Sequence, residues 1–382
     1  MLAQPDILER KVIMKRLFAL LLALCLLLCA CGGQAEETTE ATEQATTETT
    51  EPTTEPTTEA TTEPTEETTE ATEAPIDPAT VNPLTGEILD APSDARPFAL
   101  MINNSKDALP HCGTGEADVV YETCVEGGMT RFMAIFTDPA SVPTIGSIRS
   151  ARPPYIGFVQ SVDAIYSSAG AAQNVLNMIS SAGVDYINGL YYDGSYFYRD
   201  SARLNAGYDL EHTMFIKGEN ILKLAQEQGL RTTRKEDQVY GFVFDDEAVP
   251  SGQSANTVTI SFTSGGKTTT CSYDTEKDGY TLVQYGIDYI DGNTNEQILF
   301  SNVLVLEASR SILSNGIHVQ METVGEGPGY LCRDGQMIPI TWSRESETAP
   351  YVYKTAEGTD VLFATGSTYI AVIADGAPVQ FQ

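Results

Sequence analysis

The sequence predicts an α/β (or α+β) N-terminal domain followed by a smaller, mainly β C-terminal domain. Three observations carry that expectation. Between residues 98 and 228, continuous apolar runs of strand length alternate with helix-period segments. From about Phe242 the texture changes to short alternating strands separated by Gly, Asn and Asp turns. Ahead of residue 78 the composition is not globular.

Phe98-Ala99-Leu100-Met101-Ile102 is wholly apolar, and reads as a buried strand that stops at Asn103-Asn104-Ser105. Asp118-Val119-Val120-Tyr121-Glu122 and Arg131 to Phe136 are two further strands, and the Gly127-Gly128 pair between them predicts a hairpin. Pro154 suits the first turn of a helix that carries Tyr155, Ile156, Phe158 and Val159. Asp163 to Ser167 is a strand. Ala171 to Ser181 is a helix with Val175, Leu176 and Ile179 on one face, closed by Gly183. Residues 190–208 are rich in Tyr and Arg and read as loop. Glu219 to Gln228 is a helix with Gly229 as its C-cap. In the second domain Val258, Ile260 and Phe262 alternate with polar neighbours. Strands recur near 280–290, 298–307, 317–323, 337–342, 350–353, 361–364 and 368–373.

The chain divides into residues 1–31, 32–77, 78–240 and 241–382. In the first, Lys15-Arg16 precede an apolar run from Leu17 to Leu28, the pattern of a secretory signal. The run is short for a membrane span, which takes about 20 apolar residues. Cys31 follows Leu28-Cys29-Ala30, as at a lipobox, where the thiol becomes the lipidated N-terminus. Met14-Lys15-Arg16 offers a second start beside Met1. In the second piece, residues 34–75 repeat Thr-Thr-Glu and Glu-Pro-Thr with thirteen Glu and no Lys or Arg. Such a tract buries too little surface to offset its ordering entropy, so an extended, disordered tether is expected. A plain spacer is the simplest role, with O-glycan attachment the alternative.

Setting aside that tract, and the two acids and four bases before it, leaves 38 acidic and 18 basic residues, a net charge of about −20. Nucleic acid binding needs clustered cations and is excluded as a partner. An anionic membrane surface repels such a body, so the expected membrane attachment is the lipid on Cys31. The expected location is therefore extracytoplasmic, on the outer face of a bacterial cytoplasmic membrane if the lipobox pattern at Cys31 is used. Cys112, Cys124, Cys271 and Cys332 form no Cys-x-x-Cys pair and the three His are scattered, so no metal or other cofactor is expected. Cys112 and Cys124 are open to pairing or to remaining free thiols.

RPFALMINN (96–104), EADVVYETCVEGGMTRFMAIF (116–136), IGSIRSARPPY (145–155), FYRD (197–200), EHTMF (211–215), GEGPGYLCRDGQMIPITWSR (325–344) and GSTYIAVI (366–373) together resemble the YerB-like lipoprotein family. The resemblance covers nearly the whole globular part. It implies a bacterial surface lipoprotein of two domains and no particular activity. His111-Cys112 departs from the blander polar pair expected there.

The chemistry centres on arginine. From Asp107 to Ile216 there is no lysine, yet Arg131, Arg149, Arg152, Arg199 and Arg203 are present. Arginine is the choice for planar, bidentate pairing with carboxylate or phosphate. The proline after Arg152 pushes it towards an extended conformation, and the helix that follows adds positive potential. The expected ligand site comprises Arg131, Arg149 and Arg152 with Ser147 or Ser150 as hydroxyl donor, joined by Arg199, Arg203 and Asn103. The competing reading is a structural clamp, in which Asp118, Glu122, Glu126 and Asp200 pair with these arginines.

Glu122 and Glu126 share a face at period two and could act as acid and base, as in glycoside hydrolysis. The alternative is that they partner Arg131. His212 is a candidate general base or a structural histidine. Ser150 lacks an adjacent base, and no nucleophile elbow, phosphate loop or dinucleotide fingerprint is present. Gly325 to Gly329 reads as a turn. Tyr186, Tyr191, Tyr192, Tyr196, Phe197, Tyr198 and Tyr208 suit sugar or peptide recognition, or else seal the domain interface.

The leading expectation is an extracytoplasmic lipoprotein that binds a cell-wall component or envelope protein through an Arg/Tyr-lined cleft. The alternatives are a cell-wall hydrolase or transferase using Glu122, Glu126 and His212, and an interaction scaffold without a small ligand.

Overall fold

A computed structural model describes residues 77–248 and 250–382. The signal segment, Cys31 and nearly all of the tether lie outside the described residues.

An eleven-stranded sheet organises the protein. Its centre is β1 (Phe98–Asn103), β2 (Val119–Cys124) and β3 (Thr130–Phe136), every residue of which is buried. A sheet covered on both faces takes continuous apolar runs rather than alternation, and that is what these segments carry. β3 returns antiparallel through the Gly127-Gly128 turn, with Glu122 opposite Phe132 and Thr123 opposite Arg131. β1 lies on the other side of β3, with Asn103 opposite Arg131.

Two helices lead into parallel strands that extend this centre. Helix α1 (Pro153–Ser161) leads to the strand Ile165–Ser168, which pairs parallel with β1. Helix α2 (Gln173–Ser181) leads to Tyr186–Asn188, parallel to Ile165–Ser168. On the other flank the sheet continues into the C-terminal half. The strand Thr368–Ala374 pairs parallel with β2 and with Asn302–Ala308. The hairpin Gly325–Arg333 and Gln336–Arg344 follows.

A second sheet of six strands, including Thr257–Ser261, Thr268–Asp274 and Gly279–Gln284, belongs to the C-terminal half. Strand alternation sorts the two faces of β2. Tyr121 stacks on Phe158 of α1 at 4.7 Å, while Glu122 meets Lys267 and Thr269 of the second sheet. Helix α3 (Ser201–Asn205) is capped by Asp200, whose carboxylate accepts from the Arg203 amide. Helix α4 (Gly218–Glu227) buries Ile221, Leu224 and Ala225.

The α/β half, the β-rich half and the smaller size of the latter agree with the sequence reading. Three details differ from it. Residues 190–208, read as loop, hold the short strand Phe197–Arg199 and helix α3. Elements of three to five residues leave no period to detect. Gly325 to Gly329, read as a turn, are the first part of a nine-residue strand. A Cβ on Gly327 would sit 2.6 Å from the Trp342 indole nitrogen, so this glycine marks a close approach. Finally, the two halves share one sheet instead of each closing its own. Cys112 and Cys124 are both free thiols, Cys124 lying against the Met321 sulfur at 3.7 Å.

Candidate arginine site

The arginine stretch is laced across strand ends. The Arg149 amide donates to the Met101 carbonyl at the end of β1, and the Ala169 amide donates to the Arg149 carbonyl just past Ile165–Ser168. The Ala151 amide bonds the Gly170 carbonyl. β1, Ile165–Ser168 and Tyr186–Asn188 all run the same way, so the turn lies at their carboxyl ends. That edge is where open α/β sheets place their ligands. Arg152 is extended (φ −136°, ψ 152°) and caps α1, whose first two residues are Pro153 and Pro154. The prolines thus fix both the backbone of Arg152 and the start of the helix.

Arg131 enters from the first residues of β3 and is 4% exposed. Its guanidinium donates to the Ser150 carbonyl and has no carboxylate partner among the described residues. Burial first, then the charges of Arg152 and Arg149, pull it down to about 9, which leaves it charged at neutral pH. Arg152 holds Glu126: its Nε lies 2.7 Å from both carboxylate oxygens. Arg149 pairs with Glu211 at 2.7 Å, and Glu211 is half exposed. Three guanidiniums therefore meet two carboxylates.

Unsatisfied polar groups border the cluster. The Ser147 and Tyr166 hydroxyls are buried without a partner among the described residues. Tyr166 lies within reach of the Arg131 and Arg152 charges. From the C-terminal half, His318 is held by Asn174 at 3.0 Å, and burial first, then the Arg152 and Arg131 charges, lower its pKa.

The remaining residues singled out in the sequence separate. Ser147 accepts the Asn103 amide at its carbonyl, and Ser150 contributes its carbonyl rather than its hydroxyl. Asn103 lies 2.7 Å from His212 Nδ1, and also donates to the Glu211 carbonyl. Glu211 thus stands between Arg149 and His212, with 3.9 Å from its Oε1 to His212 Nε2. Arg203 donates to the carbonyls of Ala108, Pro110 and His212 and packs over Tyr208 and Phe215. Arg199 is tied to Asp193 at 2.8 Å and to the Leu210 carbonyl. These last two arginines clamp loops and do not join the cluster.

The expected pairing of Glu122 with Arg131 is not what the structure contains. Glu122 is fully buried and accepts from Lys267, Thr130, Asn104, Thr269 and Tyr369. Lys267 sits among the Phe132, Phe262 and Tyr285 rings. Strand alternation turns Glu122 away from the arginine face, towards the second sheet. Glu126 lies beyond the strand end, in the turn, so the two carboxylates share no partner. Burial favours protonating Glu126, but the Arg152 bond and charge outweigh it and hold its pKa at about 2. A sealed carboxylate and one kept ionised are poorly suited to act as a general acid–base pair. Lys267 escaped the sequence reading because its partner is 145 positions away. Glu211 was visible there only as the neighbour of His212.

The tyrosines also divide. Tyr186 bonds Ser168 at 2.7 Å, Tyr198 stacks on Phe215, and Tyr192 meets Tyr196 edge-on. Tyr191 is 79% exposed. Among the described residues, no group of three or more His, Cys, Asp and Glu is placed to hold a metal ion.

This architecture, an α/β half fused through one sheet to a β half with a buried arginine cluster at the strand ends, defines a two-domain class. Residues 84–231 match the N-terminal domain, and residues 258–370 the C-terminal domain, of "Protein of unknown function (DUF3048)". The chain belongs to this family. It is 27% identical over 297 residues to "Putative lipoprotein YerB" of Bacillus subtilis (strain 168), over 77% of this chain and 86% of the relative. It also superposes on the crystal structure of the YerB protein from Bacillus subtilis with a TM-score of 0.68 at 26% identity. That match covers 78% of this chain and 99% of the other. No helix among the described residues is long and apolar enough to cross a membrane.

Proposed function

We propose that this protein is a lipid-anchored extracytoplasmic binding protein whose arginine cluster takes an anionic group of a cell-wall component or envelope partner. The observation that carries this reading is Arg131. Burying a guanidinium without a carboxylate is costly, and placing two more guanidiniums beside it adds to the cost. A bound carboxylate or phosphate offsets it through bidentate hydrogen bonds. The unpartnered Ser147 and Tyr166 hydroxyls fit the same occupant. The lipobox-like Cys31, the Glu-rich tract and the description of the Bacillus relative as a lipoprotein support the anchored location.

Isothermal titration with inorganic phosphate, acetate and purified wall fragments tests the site. Binding that weakens at least tenfold in Arg149→Ala and Arg131→Gln supports it. If wild type binds none of these, and Arg149→Ala melts far lower, the cluster is a clamp. Cys31→Ala tests the anchor: the protein should leave the membrane fraction for the medium.

A further inference from the structure

We infer a second binding site, which borders the arginine cluster at Glu211 but is lined by none of its arginines: a groove of about 650 Å³ that takes a short basic peptide in extended form. The two family domains build it together. Residues 106–110 and 206–212 supply one side, and residues 287–295 the other. Its size is in the range of small-ligand sites and fits a peptide of a few residues.

Leu109, Pro110, Tyr208, Ile287 and Ile290 form apolar walls, and Ile287 is 40% exposed. Ile287–Asp288 is the last strand of the six-stranded sheet, so the groove runs along a sheet edge. Extended peptides use such edges for main-chain pairing and pockets for alternate side chains.

Charge identifies the peptide. Asp107, Asp209 and Asp288 line the groove, all exposed and none in an ion pair among the described residues. Lys106 is the one lysine or arginine in the lining, and Arg203 lies behind the wall with its guanidinium spent on backbone carbonyls and the Tyr208 ring. The net negative lip sits on a globular part that is itself strongly acidic, a field that draws cations in.

A second observation is independent of the acids. His212 lines the groove and is 6% exposed. The Asn103 side-chain NH2 donates to its Nδ1, since the Asn103 carbonyl oxygen is taken by Ser105. The proton of the neutral ring therefore sits on Nε2. That atom has no hydrogen-bond partner among the described residues, the Glu211 carboxylate oxygen lying 3.9 Å away. It is a positioned donor awaiting an acceptor, which a peptide carbonyl provides. Basic side chains on the acids, apolar ones on the walls and a carbonyl on His212 describe one ligand.

Fluorescence anisotropy with two labelled probes tests this: Ac-Leu-Lys-Ile-Lys-Leu-NH2 and its Glu-for-Lys counterpart. The basic probe should bind, weaken with salt, and bind at least tenfold better than the acidic one. Asp209→Asn with Asp288→Asn, both at exposed sites, should reduce its affinity at least tenfold without shifting the melting temperature. His212→Phe, a second variant, should also reduce the affinity at least tenfold, with a lower melting temperature from the lost Asn103 bond. Arg131→Gln should leave peptide binding unchanged, which separates this site from the anion site. Equal affinity for both probes, no binding by wild type, or full binding by the double variant would overturn the inference.

Discussion

At the scale of single residues, burial decides what each ionisable group does. His111 is fully enclosed between Phe132 and Tyr289, with the Tyr289 hydroxyl 2.8 Å from Nδ1. Burial, then the Arg203 charge, lowers its pKa to about 3. The unfolded chain takes up this proton near 6.5, while the folded protein refuses it until about 3. Stability is therefore full above about 6.5 and falls as pH drops towards 3, by about 1.4 kcal/mol per pH unit for one proton. His111→Phe should flatten that slope in urea titrations run at pH 4 to 7. Glu126 works on a lower window. Its pKa is depressed to about 2, so its contribution holds above about 4.5 and is lost as pH falls towards 2. Glu126→Gln should remove that part of the acid sensitivity, and an unchanged acid limb would sink the ion-pair assignment. The arginines themselves were legible in the sequence through the missing lysines. Their partners were not, because pairing depends on which face of a strand a side chain leaves.

At the scale of elements, helices and central strands were legible because each carries a period or an unbroken apolar run. Helix α4 shows what periodicity leaves out. Its buried face is visible in sequence, but its first residue is Gly218 for a reason that is not. A Cβ there would overlap the carbonyl oxygen of Pro139 and stand 2.5 Å from that of Val142. Backbone cannot yield as a side-chain tip does, so Gly218→Ala should cost roughly 2–3 kcal/mol. Gly229, at the other end of the helix, has φ +68° and open space around it. Gly229→Ala should lose only about 1 kcal/mol, from left-handed strain. Denaturant midpoints of the two variants check this order; a larger loss at Gly229 would refute it. The short strand Phe197–Arg199 illustrates the opposite limit. It exists because Met214–Ile216, itself held on its other side by Ile145–Gly146, lies beside it, not because of its own three residues.

At the scale of the whole molecule, the decisive feature is that one sheet passes through both halves. β2 would become an open, apolar edge without Thr368–Ala374 beside it, and such edges aggregate. Residues 78–240 made alone should thus be insoluble or molten, while the intact globular part unfolds in a single transition by calorimetry. The Glu122–Lys267 pair fastens the second sheet to the first at a fully buried point. Lys267→Met strands a carboxylate there and should cost about 3–5 kcal/mol. Adding Glu122→Gln should recover part of the loss, and no recovery would mean that Lys267 acts by packing alone. The sequence by itself determined the α/β-then-β order, the central strands, most of the helices and the arginine-only region, because these rest on local periodicity and composition. Tertiary structure alone decided that the halves share a sheet, that Glu122 answers Lys267 while Glu126 answers Arg152, and that Arg131 is left without a carboxylate. Those outcomes depend on strand order and on which face each residue meets, and neither is encoded within reach of a local window.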